Sequence, residues 1–583
     1  MRSRIRHKAR ISVKEGKTKV SPMKPKQASR RDMKLHSSMA KIRRVEDELC
    51  PSPEKDERPT CYADRVGSWY SKRKPVDHRK NEGLYLTPVA VADFMAGLVS
   101  TKGHVLRIID PAAGVGILLC AAAETVIFRA HKTKQIELVA YEVDPALIGL
   151  LQCVFCYLKA WAARQGVTIR WKVVEADFIL EHAKALSTNG SLFAYTTPDN
   201  EFDVIIANPP YFKIPKSDSR AQVATAVVHG QPNIYGLFMA VGAALLRSRG
   251  DFVFITPRSF TSGPYFRLLR EKFFGYIRPE HVHVFGSRRD AFNRDEVLQE
   301  NIILKGIRDD DWYHRNGRFG LIISTSRGVA DMGAAKKRRM LLSDMLDLKS
   351  KDKVFRLPVA REEEAILRLV DSWPGPLRKY GLNISTGPVV PFRAVEFLDN
   401  KGDVPETHAP LLWMHHVHAM RVTWPNGTRK EQYIKNEAAA ESLLVPNRNY
   451  VLLRRFSAKE QRRRLTAAPC LARHFNSSVM GLENHLNYVH RPGGALSESE
   501  AYGLATLYNS SLLDMYFRCL NGNTQVNATE LRTMPLPELK MIIEIGERAK
   551  ALGTSEEGID GLVLNILSVG EKTLRIIKAA ASG

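Results

Sequence analysis

Cysteine is scarce in this 583-residue chain: seven residues, an odd number, scattered from Cys50 to Cys519. Such a count in a long chain excludes a disulfide framework. Cys153 and Cys156 have C-x-x-C spacing. They lie in an apolar helical stretch with no second pair, so packing explains them better than zinc or redox chemistry. Long apolar runs are also missing. None reaches the roughly 18 residues a membrane-spanning helix needs, and the best candidate, around 147–157, soon meets Lys159 and Arg164. The basic start MRSRIRHKAR lacks the apolar segment of a secretory signal. These absences lead to the expectation of a reducing bacterial cytoplasm and no membrane partner. Acidic charge is in deficit, with 62 Asp and Glu against 87 Lys and Arg, a net +25. That field draws polyanions, nucleic acid first and an anionic membrane surface second. A chain 44% hydrophobic and 26% charged is otherwise ordinary, which excludes a fibrous or wholly disordered protein.

Residues 1–80 carry much of the charge, about +11 over the first 50 positions, with little apolar periodicity. They read as a basic, disordered tail. From about Gly83 short β-branched runs alternate with longer helical spans. Strands are expected at 105–110, 137–142, 168–174, 202–207, 251–256, 281–285 and 301–307, with helices at 116–130, 146–164 and 235–248. Alternation of this kind predicts a mostly parallel sheet covered on both faces. The last two strands are close enough to form an antiparallel edge. A catalytic domain is thus expected over 81–325, and a linker containing the basic run KKRRM over 326–354. A mixed α+β domain with few long helices follows over 355–540. A helical segment closes the chain over 541–583.

Three strand ends carry carboxylates and the fourth carries an amide. The first strand runs into Asp110-Pro-Ala112-Ala-Gly114-Val-Gly116 and opens a helix. Glycines let a ligand approach the backbone closely, and a helix N-terminus offers free N–H groups. The second strand ends Glu142-Val-Asp144, where an acid suits ribose hydroxyls; Glu142 is preferred and Asp144 is the alternative. After the third strand comes Asp177-Phe178, a carboxylate for an amino group and a ring to pack on a base. The fourth strand gives Asn208-Pro209-Pro210-Tyr211. Two prolines fix the turn and direct the Asn side chain and the first Pro carbonyl outward.

With these motifs the chain resembles the gamma-class DNA methyltransferases that make N6-methyladenine, TaqI-like enzymes and above all the PstI/BsuBI type. The leading motif Gly83-Leu-Tyr-Leu-Thr87-Pro88 precedes D-P-A-x-G-x-G, then N-P-P-Y, then a C-terminal region, in the order of that class. Further matching stretches are 233–238, 256–263, 290–292, 384–388, 410–413 and 522–531. The likeness spans about 83–537. Val115-Gly116-Ile117-Leu118 departs from it, since many relatives have a polar or aromatic residue there.

The resemblance implies a Rossmann-like AdoMet-dependent sheet plus a target recognition domain, with S-adenosylmethionine as methyl donor and no metal. It implies that Thr87, Asp110, Ala112 and the backbone at Gly114 and Gly116 hold the methionine part. Glu142 would take the ribose, and Asp177 with Phe178 the adenine. Asn208 and Pro209 would accept the target amino group, in the turn fixed by Pro210. Tyr211 and Phe292 would stack on the flipped base. Arg393, Arg454, Arg455, Arg473, His474 and Asn523 are candidate DNA contacts. The run Arg462-Arg463-Arg464 is expected on phosphate or in solvent, and Arg518 and Asn527 stay undecided. The implied partners are duplex DNA and a separately encoded restriction endonuclease, the protein acting as a monomer, with CTGCAG the first site to test. The alternatives are an RNA or protein-glutamine methyltransferase and a non-catalytic DNA-binding module. Cytosine N4 methylation would more often put Ser in place of Asn208.

Overall fold

The computed structural model describes residues 50–73, 86–100, 103–129, 132–187, 202–228, 231–286, 300–315, 318–348, 350–400, 406–427, 430–457, 461–521, 525–553 and 558–569. Phe292, Asn523 and most of the basic tail lie outside these. Residues 51–583 cluster as one unit.

Nine strands form the central sheet: β1 (Val105–Asp110), β2 (Gln135–Glu142), β3 (Thr168–Glu175), β4 (Phe202–Ala207), β5 (Leu246–Pro257), β6 (Ile277–Phe285), β7 (Asn301–Arg308), β8 (Gly320–Ser326) and β9 (Lys336–Leu341). Their order is β3-β2-β1-β4-β5-β7-β6-β8-β9. The first five in this order pair in parallel. β4, FDVIIA, is buried along its whole length, as a central parallel strand covered on both faces must be. The expected β6–β7 antiparallel pair forms, but inside the sheet. β7 also pairs antiparallel with β5, β8 runs parallel to β6, and β9 closes the edge antiparallel to β8.

Two sequence expectations are therefore corrected. The stretch read as a linker, 326–354, supplies β9. Met340, buried on that strand, anchors it to the core while its charged neighbours stay outside. Part of the expected tail also folds. Helix α1 (Pro59–Arg73) buries Thr60, Ala63, Val66, Gly67 and Tyr70, an i, i+3, i+4, i+7 face of one helix. Buried Glu124 ties down its start, accepting from the Thr60 N–H and hydroxyl, each at 2.7 Å.

Helices α2 (Val89–Ala96), α3 (Ile117–Arg129), α4 (Pro145–Arg164) and α5 (Ile234–Leu245) cover the sheet. α4 is long and apolar enough to cross a membrane by length and composition. Here it packs Leu147, Leu151, Val154, Phe155 and Leu158 into the fold. The remainder is mixed, with a four-stranded antiparallel sheet, a five-stranded sheet and helices including Glu498–Tyr508 and Leu539–Leu552. Those two helices touch backbone to backbone at Gly503 and Gly546, where a Cβ would collide with the backbone of the facing helix. Arg258, 5% exposed after β5, joins the first part to the second. Its Nη2 donates to the Arg518 and Cys519 carbonyls, each at 3.0 Å.

Candidate active site

Strand order turns around between β1 and β4: β1 leads to β2 and β3 on one side, β4 to β5 on the other. The carboxyl ends of strands flanking such a switch point leave a crevice. A cavity of about 410 Å³ lies there, inside the range of small-molecule sites. Thr87, Asp110, Ala112, Gly114, Glu142, Asp177, Phe178, Asn208 and Pro210 all line it. Residues 120 positions apart in the chain are thus brought together as expected. Gly116, Pro209 and Tyr211 are not among the lining groups.

The two glycines of the turn do different work. Both have positive φ, +55° at Gly114 and +82° at Gly116. A Cβ on Gly116 would sit 2.6 Å from Leu151 Cδ1 and 2.8 Å from Phe155 Cε1, so this glycine lets the turn pack on α4. A Cβ on Gly114, which lines the cavity, would meet nothing within 4 Å.

Asp110 is 1% exposed at the end of β1, and its Oδ1 accepts from the Ala112 N–H at 3.0 Å. Burial pushes its carboxyl up to about 8, with the Glu142 charge adding to the shift. Glu142 gathers three backbone N–H groups. Gly114 donates to Oε2 at 2.8 Å, and Val143 and Asp144 to Oε1 at 2.8 and 2.9 Å. Burial raises its carboxyl above the ordinary range against the pull of these donors. Glu142 therefore braces the glycine turn as well as facing the cavity.

Asp144, the alternative acid, lines the same cavity and is engaged by the protein's own donors. Its Oδ1 caps α4 through the Ala146 N–H at 2.9 Å, and Oδ2 accepts from the Tyr70 hydroxyl. Asp177 caps a short turn, Phe178–Glu181, accepting from the Ile179 and Leu180 N–H groups at 2.9 and 3.0 Å. Its Oδ2 lies 3.6 Å from Arg220 Nη1. Phe178 is 1% exposed and stacks on Phe238 with ring centroids 5.6 Å apart.

At Asn208 the amide is held from both sides. Nδ2 donates to Thr87 Oγ1 at 3.1 Å, and the Tyr211 hydroxyl lies 2.5 Å from Oδ1. Tyr211 is 7% exposed, packed edge-on to Tyr235, with its hydroxyl also 3.0 Å from Ile255 O. The open aromatic face read from the sequence is a buried ring here, because β5 offers its hydroxyl a carbonyl.

Sequence reasoning missed Phe212 and Arg220 as cavity residues. Arg220 pairs with Asp218, and its guanidinium carbon stands 5.9 Å from the Phe212 centroid. Phe212 follows N-P-P-Y directly, which was a usable signal; Arg220 had none. The expected C-terminal DNA contacts divide. Arg393 is exposed, with its guanidinium 5.3 Å from the exposed Phe392 ring. Arg454 donates Nε to Val417 O at 2.5 Å, Arg455 donates Nη1 to Asn484 O at 3.0 Å, and Arg473 pairs with Glu498. Arg464 is buried at 1% exposure and donates Nε to Ser457 Oγ at 2.9 Å, so the expectation of phosphate or solvent fails for it. Its neighbour Arg463 meets Asp560 at 3.3 Å. Arg518 is held by Asp514 at 2.7 Å, within the fold.

The cavity fits S-adenosylmethionine by the chemistry of its walls. Buried carboxyls suit a cationic ligand, and apolar rings suit a base. Comparison with known proteins agrees. Residues 159–292 match the family model "Eco57I restriction-modification methylase". The type II methyltransferase M.BsuBI of Bacillus subtilis is 32% identical over 81% of this chain and 91% of its own length. The type II methyltransferase M.PstI of Providencia stuartii is 30% identical over 83% and 92%. A solved DrdV–DNA complex aligns at 12% identity with a TM-score of 0.46, covering 85% of this chain and 59% of that one. The chain belongs to the type II restriction-modification methyltransferases: it is a DNA methyltransferase whose methyl donor is S-adenosylmethionine.

Proposed function

We propose that the acceptor is the N6 amino group of an adenine flipped out of duplex DNA. The observation that carries this reading is the Asn208 amide, set on the rim of the cavity that Asp110 and Glu142 also line. An adenine amino group is a poor nucleophile, because its lone pair is shared with the ring. The Asn208 oxygen and the Pro209 carbonyl accept its two N–H bonds and hold the nitrogen with its lone pair toward the cavity. Bound S-adenosylmethionine supplies an electrophilic methyl group on sulfur. Fixed acceptors also stabilise positive charge developing on N6, and orientation removes much of the entropic barrier. The proton left on nitrogen is lost after transfer, so no covalent link to the protein is needed.

A base inside a duplex cannot reach the Asn208 amide, so it must leave the stack. Tyr211 and Phe292 are assigned to its two faces, and each stacked ring offsets about 1–3 kcal/mol of the unstacking cost. Tyr211 must then give up part of its present packing. Thr87, Asp110, Ala112, Gly114 and Gly116 are assigned to the methionine portion of the donor, Glu142 to its ribose, and Asp177 with Phe178 to its adenine. The region 355–540 is assigned to target recognition, with the exposed Arg393 among its candidate DNA contacts. Arg454, Arg455, Arg473, His474 and Asn523 are the further candidate contacts, of mixed phosphate and base type. The protein works as a monomer beside a separately encoded endonuclease.

The test is methyl transfer to unmethylated duplex DNA, with the product digested to nucleosides and weighed. N6-methyldeoxyadenosine is expected, at a site then mapped by sequencing, with CTGCAG tried first. N4-methyldeoxycytidine, or label only in RNA or protein, would reject the adenine reading.

A further inference from the structure

The basic run KKRRM, at first assigned to a linker, forms the free edge of the catalytic sheet. β9 pairs with β8 on one side only. Lys336, Lys337 and Arg339 are exposed, and Arg327 at the end of β8 is exposed beside them. Arg338 alone turns to a carboxylate, pairing with Glu364. Asp331, five residues before Lys336, is occupied by the N–H groups of Arg327 and Gly328, each at 2.9 Å. Ile322 on β8 and Leu341 on β9 are each 38% exposed, so the sheet face is open here.

Sheet edges often carry a lysine that discourages pairing with another chain. Lys336, Lys337 and the adjacent Arg327 together exceed that need, and their placement is not random. The register sets Lys336 opposite Thr325 and Lys337 opposite Ser324. β8 runs parallel to β6, and β7 reverses direction once between β6 and β5. The carboxyl end of β8, and with it Lys336 and Lys337, therefore lies at the same end of the sheet as Ala207 and Asn208. Helix α2, which follows Thr87, packs against the 332–334 turn, and Phe94 of α2 lies 4.7 Å from the His283 ring of β6. These contacts link the helix that follows the cavity residue Thr87 to the turn that leads into the basic edge.

We propose that Arg327, Lys336 and Lys337 bind the phosphate backbone of the duplex flanking the target site. This rests on the DNA-adenine reading above. β9 stands five strand spacings from β4, about 24 Å at the usual interstrand distance. At about 3.4 Å per base step that reach corresponds to roughly seven base pairs from the flipped base. Such contacts carry no sequence information; they position the duplex and are sensitive to salt.

The experiment compares the intact enzyme with an Arg327→Gln, Lys336→Gln, Lys337→Gln variant on two duplexes centred on the mapped site. One is about 10 base pairs long, too short to reach β9, and one about 30. The wild type is expected to show a lower KM on the longer duplex. The variant is expected to lose that advantage while keeping wild-type kcat and KM on the short one. Three lost contacts reduce the slope of log KM against log salt by about 3, so a rise from 50 to 200 mM salt should weaken the wild type roughly 40-fold more than the variant. An undiminished length advantage with an unchanged salt slope would overturn the proposal. So would an equal loss of kcat on both duplexes, which would assign the strand to the fold alone. If the wild type methylates neither duplex, the DNA-adenine reading itself has failed, and the proposal fails with it.

Discussion

The Tyr211 hydroxyl lies 2.5 Å from Asn208 Oδ1 and 3.0 Å from the carbonyl oxygen of Ile255. A phenol has one proton, so it donates to one of these acceptors at a time. The amide that must meet the substrate is thereby tethered to the end of β5, while Thr87 holds its other side at 3.1 Å. Tyr211→Phe removes the tether and leaves a buried carbonyl without this donor, costing about 1–3 kcal/mol. The variant should melt lower and turn over more slowly, with unchanged affinity for S-adenosylmethionine. Calorimetry and a fluorescence titration of the donor would check both halves.

Asp110 gives a pH dependence with a definite sign. Burial raises its carboxyl from an ordinary 3.8 to about 8. The folded protein therefore holds a proton there that the unfolded chain releases. Between about pH 4 and 8 this group's contribution to stability falls as pH rises. A cationic donor in the cavity favours the ionised form. Binding of S-adenosylmethionine at pH 7 should release protons and tighten as pH approaches 8. Titration calorimetry in buffers of different ionisation enthalpy measures the release, and Asp110→Asn should abolish most of it.

The two glycines should separate folding from binding. Gly116→Ala puts a methyl group into Leu151 and Phe155 at a φ of +82°, and should cost about 1–3 kcal/mol of stability. Gly114→Ala has open space, so its cost should stay near 1 kcal/mol for the left-handed backbone. Its KM for S-adenosylmethionine should rise instead. Thermal melts and donor titrations on the two variants read the contrast.

Arg258 tests the joint between the catalytic sheet and the C-terminal region. Arg258→Leu strips donors from the Arg518 and Cys519 carbonyls and leaves Glu300, 3.5 Å from Nη1, without its cation. Breaking a buried pair on one side costs about 3–5 kcal/mol. The unfolding midpoint in urea should fall accordingly, and a midpoint equal to the wild type's would show that this joint does not hold the two regions together.

Much of this architecture was legible because strand ends and chemistry coincide. β1 and β4 have the bounds expected, and Asp110, Glu142, Asp177 and Asn208 converge because parallel strands end on one face. What stayed hidden depends on distant partners. α1 was lost in a charged, Pro-containing stretch, although its Ala63, Val66, Gly67 and Tyr70 follow helical spacing. β9 reads as a solvated charge run because only Met340 turns inward. Tyr211 was expected to show a face, and only the position of Ile255 O explains why it is tucked in. The arginines of 454–473 looked alike in sequence, and their separation into backbone braces, a buried residue and an ion pair rests on tertiary contacts.

The central claim is that Asn208 activates the adenine amino group and does not merely shape the donor pocket. The direct measurement is N6-methyldeoxyadenosine formation by Asn208→Ala, made alongside its affinity for S-adenosylmethionine in the same preparation. The account predicts a loss of at least about 100-fold in kcat, the scale for removing a group that acts in the transition state, with donor affinity unchanged. A variant that still methylates adenine at near wild-type rate, or that loses donor affinity in proportion to activity, would contradict it.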